Sequence, residues 1–287
     1  MSVFRCILRL VIHGQLLMAA SAASYVAVAG ILISGVPVPV AWLLAAFFCT
    51  LGIYLLDSVR SADREDAISQ SDRAGLFRTH RGWATCGGLA SLGVGGLAVL
   101  WARASPETWI VLVLLGLLGL AYLMPMLPVP GRRLTLKDLS LVKPLFISFA
   151  WLTGALLVAW ESLPSPAPTS APMSAFLFGL ATAPMLLLDS LWLDRRDRVA
   201  DTVFGHPTIA SILSVRGFLL SRIALWVLPC AVLVLDSGFL IPVLGLLSGS
   251  LILVLLEPDR LGFESTRVVA ASLWRFTLLL VVLCWMG

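Results

Sequence analysis

The sequence predicts an all-α membrane protein, a bundle of nine transmembrane helices. Three observations lead there: an apolar composition, apolar runs of spanning length repeated from end to end, and positive charge kept to one side. Hydrophobic residues fill 59% of the 287 positions and charged residues only 13%, with a mean hydropathy of +0.98. A soluble domain carries roughly 25% charged residues, so this surface is made for lipid.

A helical span needs about 20 apolar residues to cross a hydrocarbon core about 30 Å thick. Charged and Pro-rich breaks divide the chain into nine such runs: Leu10–Ser34, Val38–Leu56, Trp83–Trp101, Trp109–Met126, Val142–Trp160, Met173–Leu193, Gly217–Leu235, Phe239–Leu256 and Val268–Met286. The first follows Arg5 and Arg9 without a short apolar core and small-residue cleavage site, so it is expected to be a retained helix. Between the fifth and sixth runs, ESLPSPAPTSAP reads as an extended loop. No stretch is left for a soluble domain, and residues 1–287 form one unit. The five cysteines lie in or beside apolar runs with no CxxC pair, which suits packing rather than disulfides or metal.

Orientation follows from the basic residues. With the N-terminus in the cytoplasm, eighteen of the twenty Lys and Arg residues fall on the inner side, Arg103 alone on the outer side, and Arg275 within the last span. The excess of positive charge is therefore a membrane-orientation signal, and nothing in it suggests nucleic acid.

The acids are less easily explained. Leu55–Asp66 reads LLDSVRSADRED, and Leu187–Asp197 echoes it as LLDSLWLDRRD. Nine of the sixteen carboxylates belong to two clusters at the inner ends of the second and sixth runs: Asp57, Asp63, Glu65, Asp66 and Asp72, then Asp189, Asp194, Asp197 and Asp201. Carboxylates at a helix C-terminus oppose the helix dipole, so a compensating cation is expected. Asp194, Asp197 and Asp201 stand at i, i+3 and i+7, one face of a continuing helix. Oxygen-only donors of this kind suit Mg²⁺, which takes one or two carboxylates plus substrate phosphates. The plainer alternative is a solvated rim in which these acids pair with Arg64, Arg195 and Arg198.

The loop after the fourth run, YLMPMLPVPGRRLTLKDLSLVKP, carries Arg132, Arg133, Lys137 and Lys143. Guanidinium forks and ammonium point charges are what a phosphate site requires, although the positive-inside rule alone accounts for cations here. His13 and Gln15 in the first run and Arg275 in the last are polar at membrane depth. Each needs an internal partner or a cavity.

Nine helices, acid-rich motifs after the second and sixth, and a Tyr-x-x-Pro…Lys loop after the fourth resemble the UbiA-type intramembrane prenyltransferases over nearly the whole chain. The resemblance implies that the helices surround a central cavity. There the acids hold Mg²⁺ on an isoprenyl diphosphate, and an aromatic or lipophilic acceptor meets the allylic cation. Residue by residue it assigns Asp57, Asp63 and Asp66 to the first metal motif and Asp194, Asp197 and Asp201 to the second. It makes Arg73, Tyr122, Lys137, Lys143 and Arg198 the substrate contacts. The acidic motif loops, about residues 57–82 and 189–216, would lie on the cytoplasmic side. A continuous helix would rotate Asp57 away from Asp63, so a break between them is expected. Cyclisation of the prenyl chain remains open as a second outcome. A transporter or a non-catalytic scaffold is the alternative of a different class, although interfacial acids fit poorly with the midplane sites of transporters.

Overall fold

The computed structural model describes residues 11, 15–63, 65–124, 127–129, 132–134, 142–203, 208–256 and 264–286. Apart from one small hairpin and the connecting turns they are helical, as the apolar runs require. In lipid every backbone N–H and C=O must be satisfied within its own segment, and a helix does this. Eight helices are long and apolar enough to cross a membrane, which makes the chain a multi-pass membrane protein by length and composition.

The helices are α1 (Leu16–Ser34), α2 (Val40–Ser61), the short α3 (Glu65–Ser69) and α4 (Ser71–Thr79), α5 (Arg81–Trp101) and α6 (Pro106–Leu123). After the hairpin come α7 (Val142–Glu161), α8 (Ala171–Val203), the short α9 (Ile209–Ile212), α10 (Val215–Val227), α11 (Ala231–Leu235), α12 (Leu240–Leu255) and α13 (Glu264–Met286). The apolar run from Val215 to Leu235 bends through a 3₁₀ turn at Leu228–Cys230, where Pro229 cannot donate to the helical ladder. The fourth expected span corresponds to α6, whose described apolar stretch is shorter than the other eight.

The loop after α6 carries the one described pair of strands. Part of it is an antiparallel hairpin, β1 (Leu127–Val129) against β2 (Arg132–Leu134), with Leu127 opposite Leu134 and Val129 opposite Arg132. The second acidic segment, placed in a motif loop over about residues 189–216 but with Asp194, Asp197 and Asp201 expected on one face of a continuing helix, is helical as that spacing required: α8 continues unbroken to Val203. At 1.5 Å per residue its 33 residues measure about 50 Å, well beyond a hydrocarbon core.

Helix α1 is the most deeply buried of the eight and packs against α2, α7, α8 and α13. Its AASAASYVAVAG stretch offers small residues on every face, which lets neighbouring backbones approach. Tyr25 ties this core together. Its ring lies 6.3, 5.4 and 5.8 Å from those of Trp151, Phe178 and Trp274, and its hydroxyl is 2.8 Å from Thr182 Oγ1. Packing of α2 on α5 depends on Gly52, Gly88 and Gly95; a Cβ on Gly95 would sit 2.5 Å from Cys49 Sγ.

Candidate functional site

One cavity of about 110 Å³ gathers most of the buried charged side chains among the described residues. Its walls come from α1 (Gln15, at the N-cap, and Met18), α2 (Tyr54, Asp57, Ser61), α3 and α4 (Asp66, Arg73), and α6 (Tyr122). The remainder comes from α7 (Lys143, Trp151), α8 (Asp189, Asp194, Asp197) and α13 (Arg275).

The first motif reaches the cavity through a break. Helix α2 stops at Ser61, the chain turns over Ala62 and Asp63, and α3 restarts at Glu65. Ser61 Oγ bonds Asp57 O at 2.8 Å and Asp66 Oδ2 at 2.9 Å, which folds Asp66 back under the end of α2. The break was expected, but its effect is the reverse of bringing Asp63 in. Asp63 is exposed, with Arg78 and Arg81 each 3.0 Å from one of its oxygens, whereas Asp66 is 4% exposed. Asp63 therefore does not join the cavity.

Asp66 heads a network that stitches α1 to α4. It accepts from Gln70 Nε2 at 3.3 Å and faces Arg73 Nε at 3.4 Å. Arg73 also donates to Gln70 Oε1 at 3.1 Å and to Ser58 Oγ at 2.6 Å. Ser58 Oγ takes a longer bond from Gln15 Nε2 at 3.4 Å and gives its own proton to Tyr54 O.

Two further ion pairs belong to α8. Lys143 Nζ, at the start of α7, lies 2.7 Å from Asp194 Oδ1. Arg275 bonds Asp189, and its guanidinium lies over two indole rings, 4.3 Å from the Trp151 centroid and 4.5 Å from that of Trp274. Across the cavity, Asp57, Asp66, Asp189, Asp194 and Asp197 face Arg73, Lys143 and Arg275. Among the described lining residues, five carboxylates against three cations leave a formal excess of two negative charges.

Of the residues singled out in the sequence, Asp57, Asp66, Asp194, Asp197, Arg73, Tyr122 and Lys143 line this one space. Tyr122 stacks on Phe146 with centroids 5.2 Å apart. Arg198, one position past Asp197, does not line the cavity. Asp201 continues the backbone of α8, but its side chain, like that of Glu65, lies outside the described ones. Lys137 and His13 also lie outside the described residues. Arg73 and Lys143, expected as phosphate contacts, are held by carboxylates.

The sequence reading underweighted Asp189 and Gln70. Asp189 had a signal, since it is the aspartate of the second LLDS echo and holds the same place there as Asp57 in the first. Gln70 had none. Compared with known proteins, the chain matches no protein-family model, no curated protein and no solved structure.

Proposed function

We propose that the chain is a UbiA-type intramembrane prenyltransferase, with nine spans, a cytoplasmic N-terminus and this cavity as its central site. It transfers an isoprenyl group from an isoprenyl diphosphate to an aromatic or lipophilic acceptor, with Mg²⁺ as cofactor. One observation carries the reading: the two acid-bearing segments, distant in sequence, meet on a single cavity that also receives Arg73 and Lys143. The ninth span is α6, whose 18 residues extend about 27 Å, enough for a thin bilayer.

The chemistry of the donors fits Mg²⁺. Acid side chains supply oxygen donors, no Cys or His among the described residues lines the cavity, and the formal excess of two negative charges among its described lining residues equals one divalent cation. Among the described residues no three His, Cys, Asp or Glu side chains form a ready-made metal cluster. That agrees with an ion that keeps one or two carboxylates and takes the rest of its shell from phosphate and water. One or two of Asp57, Asp66, Asp194 and Asp197 would hold it, and bound Mg²⁺ would neutralise charge developing on the departing diphosphate.

The protein's own groups then divide the work. Arg73 and Lys143 exchange their carboxylate partners for phosphate oxygens, one as a fork and one as a point charge. Asp66 keeps its orientation when Arg73 leaves, because Ser61 and Gln70 also hold it. Tyr54 and Tyr122 offer aromatic surface beside the acids, and a desolvated ring stabilises a cation by about 2 kcal/mol or more.

The test is release of diphosphate by the purified protein in nanodiscs, given MgCl₂, isoprenyl diphosphates of several lengths and a lipid-extract acceptor. Mg²⁺-dependent release that requires the extract supports transfer. Release without any acceptor would replace transfer by cyclisation, and no release at any length would overturn the reading.

A further inference from the structure

Ser58 lies behind the cavity wall. It is 0% exposed and does not line the cavity, yet its hydroxyl joins three residues that do, Gln15, Tyr54 and Arg73. Oγ lies 2.6 Å from Tyr54 O one turn back on α2, 2.6 Å from Arg73 Nη2 on α4, and 3.4 Å from Gln15 Nε2 at the N-cap of α1. A hydroxyl has one proton to give and two lone pairs to receive with. Arg73 and Gln15 offer only N–H groups here, so the carbonyl takes the proton and both lone pairs face nitrogen donors. Serine in a helix often bonds the carbonyl four residues earlier. That habit accounts for the bond to Tyr54 but not for two donors brought from other helices.

The contacts of Arg73 show what the hydroxyl does. Arg73 is buried at the cavity, and each terminal nitrogen is held by a neutral oxygen, Nη2 by Ser58 and Nη1 by Gln70 Oε1 at 3.1 Å. Asp66 Oδ2 lies 3.4 Å from Nε, an ion pair without the geometry of a hydrogen bond, and the buried Nε–H has no hydrogen-bond acceptor among the described residues. The shortest contact of this cation is therefore to a hydroxyl whose own proton is already committed. Such a chain of bonds polarises its members and strengthens each. Neutral holders fix the direction of a guanidinium without cancelling its charge, and they leave the Nε edge, on the side of cavity-lining Asp66, for an anion.

We propose that Ser58 is a positioning residue for phosphate recognition: it touches no substrate, and it holds Arg73 in the rotamer that presents the Nε edge to a diphosphate. This rests on the proposed function, in which Arg73 meets that group.

Binding of inorganic diphosphate to the protein in nanodiscs with MgCl₂ present, measured by calorimetry with empty nanodiscs subtracted, tests this. Ser58→Ala should weaken binding about tenfold, the scale of one hydrogen bond made by a charged group. Ser58→Thr keeps the hydroxyl and should bind within about threefold of the native protein. On an Arg73→Gln background Ser58→Ala should change binding by less than about twofold, because the group it positions is gone; a packing role would persist there. The proposal is overturned by native-like binding in Ser58→Ala, by Ser58→Thr binding no better than Ser58→Ala, by an undiminished loss on the Arg73→Gln background, or by a native protein that binds no diphosphate. Ser58→Cys, close to serine in size but a weak acceptor, takes the place of Ser58→Ala if that variant fails to fold. If Arg73→Gln binds no diphosphate at all, the Ala and Thr arms decide. Diphosphate release from isoprenyl substrates is a separate assay: no release together with the expected binding losses would overturn the transferase and leave the positioning role standing.

Discussion

Lys143→Met offers the sharpest separation of a cation site from a lattice of salt bridges. Lys143 Nζ stands 2.7 Å from a carboxylate oxygen of Asp194, and Asp194 is 3% exposed. Methionine keeps much of the stem volume and removes the charge. Truncating one partner of a buried pair costs about 3–5 kcal/mol, a large share of a typical stability of about 5–15 kcal/mol. With roughly 2–4 °C of melting temperature per kcal/mol for chains of a few hundred residues, the variant should melt about 6–20 °C below the native protein. The loss also raises the formal excess in the cavity from two negative charges to three. If the acids are a divalent-cation site, MgCl₂ should then stabilise the variant more than the native protein, and a variant at a hundredfold excess over its Kd gains about 2.7 kcal/mol over the Mg²⁺-free variant. Tryptophan-fluorescence melts in detergent, with and without MgCl₂, measure both effects. An unchanged melt would refute the energetic role of the ion pair. A lowered melt with no extra Mg²⁺ response would refute the cation site and leave a structural salt bridge.

Two further substitutions follow from the geometry. Asp66→Asn should abolish most Mg²⁺-dependent diphosphate release, while Asp63→Asn should leave it within twofold, because exposed pairs such as those with Arg78 and Arg81 are worth about 0–1 kcal/mol; equal effects in the release assay would contradict the assignment. Gly249→Ala puts a Cβ 2.7 Å from the Trp274 Cα and should cost about 1–3 kcal/mol by overpacking, read as a lower melt, whereas Gly93→Ala, with open space around it, should show no such loss.

The spans were legible because lipid imposes one requirement on every residue in a run, so length and apolarity are enough to read them. The two acidic segments were legible for the converse reason: a carboxylate stands out against an apolar background, and LLDS stands out twice. Which acids face the cavity was not legible. The choice between Asp63 and Asp66 is made by a turn at Ala62 and by the bond from Ser61 Oγ to Asp66, and both depend on where α2 stops. Arg275 signalled that it needed a partner, but that partner lies 86 positions away, and helical periodicity carries no information across such a gap. The pairing of Lys143 with Asp194 was hidden in the same way. Each residue has a sufficient local reading, as a positive-inside lysine or as a member of an acidic face, until α7 and α8 are packed together.

The unbroken course of α8 fixes a length as well as a shape. Asp189 and Asp197 are eight residues apart on one continuous helix, so about 12 Å of axis separates these two cavity-lining carboxylates. A bilayer that thickens or thins can tilt that helix or shift its immersion, at fractions of a kcal/mol per Å of hydrophobic mismatch, but it cannot change the interval along it. Lipid chain length therefore decides which part of the cavity meets the water boundary, while α8 acts as a ruler whose graduations stay the same in every membrane.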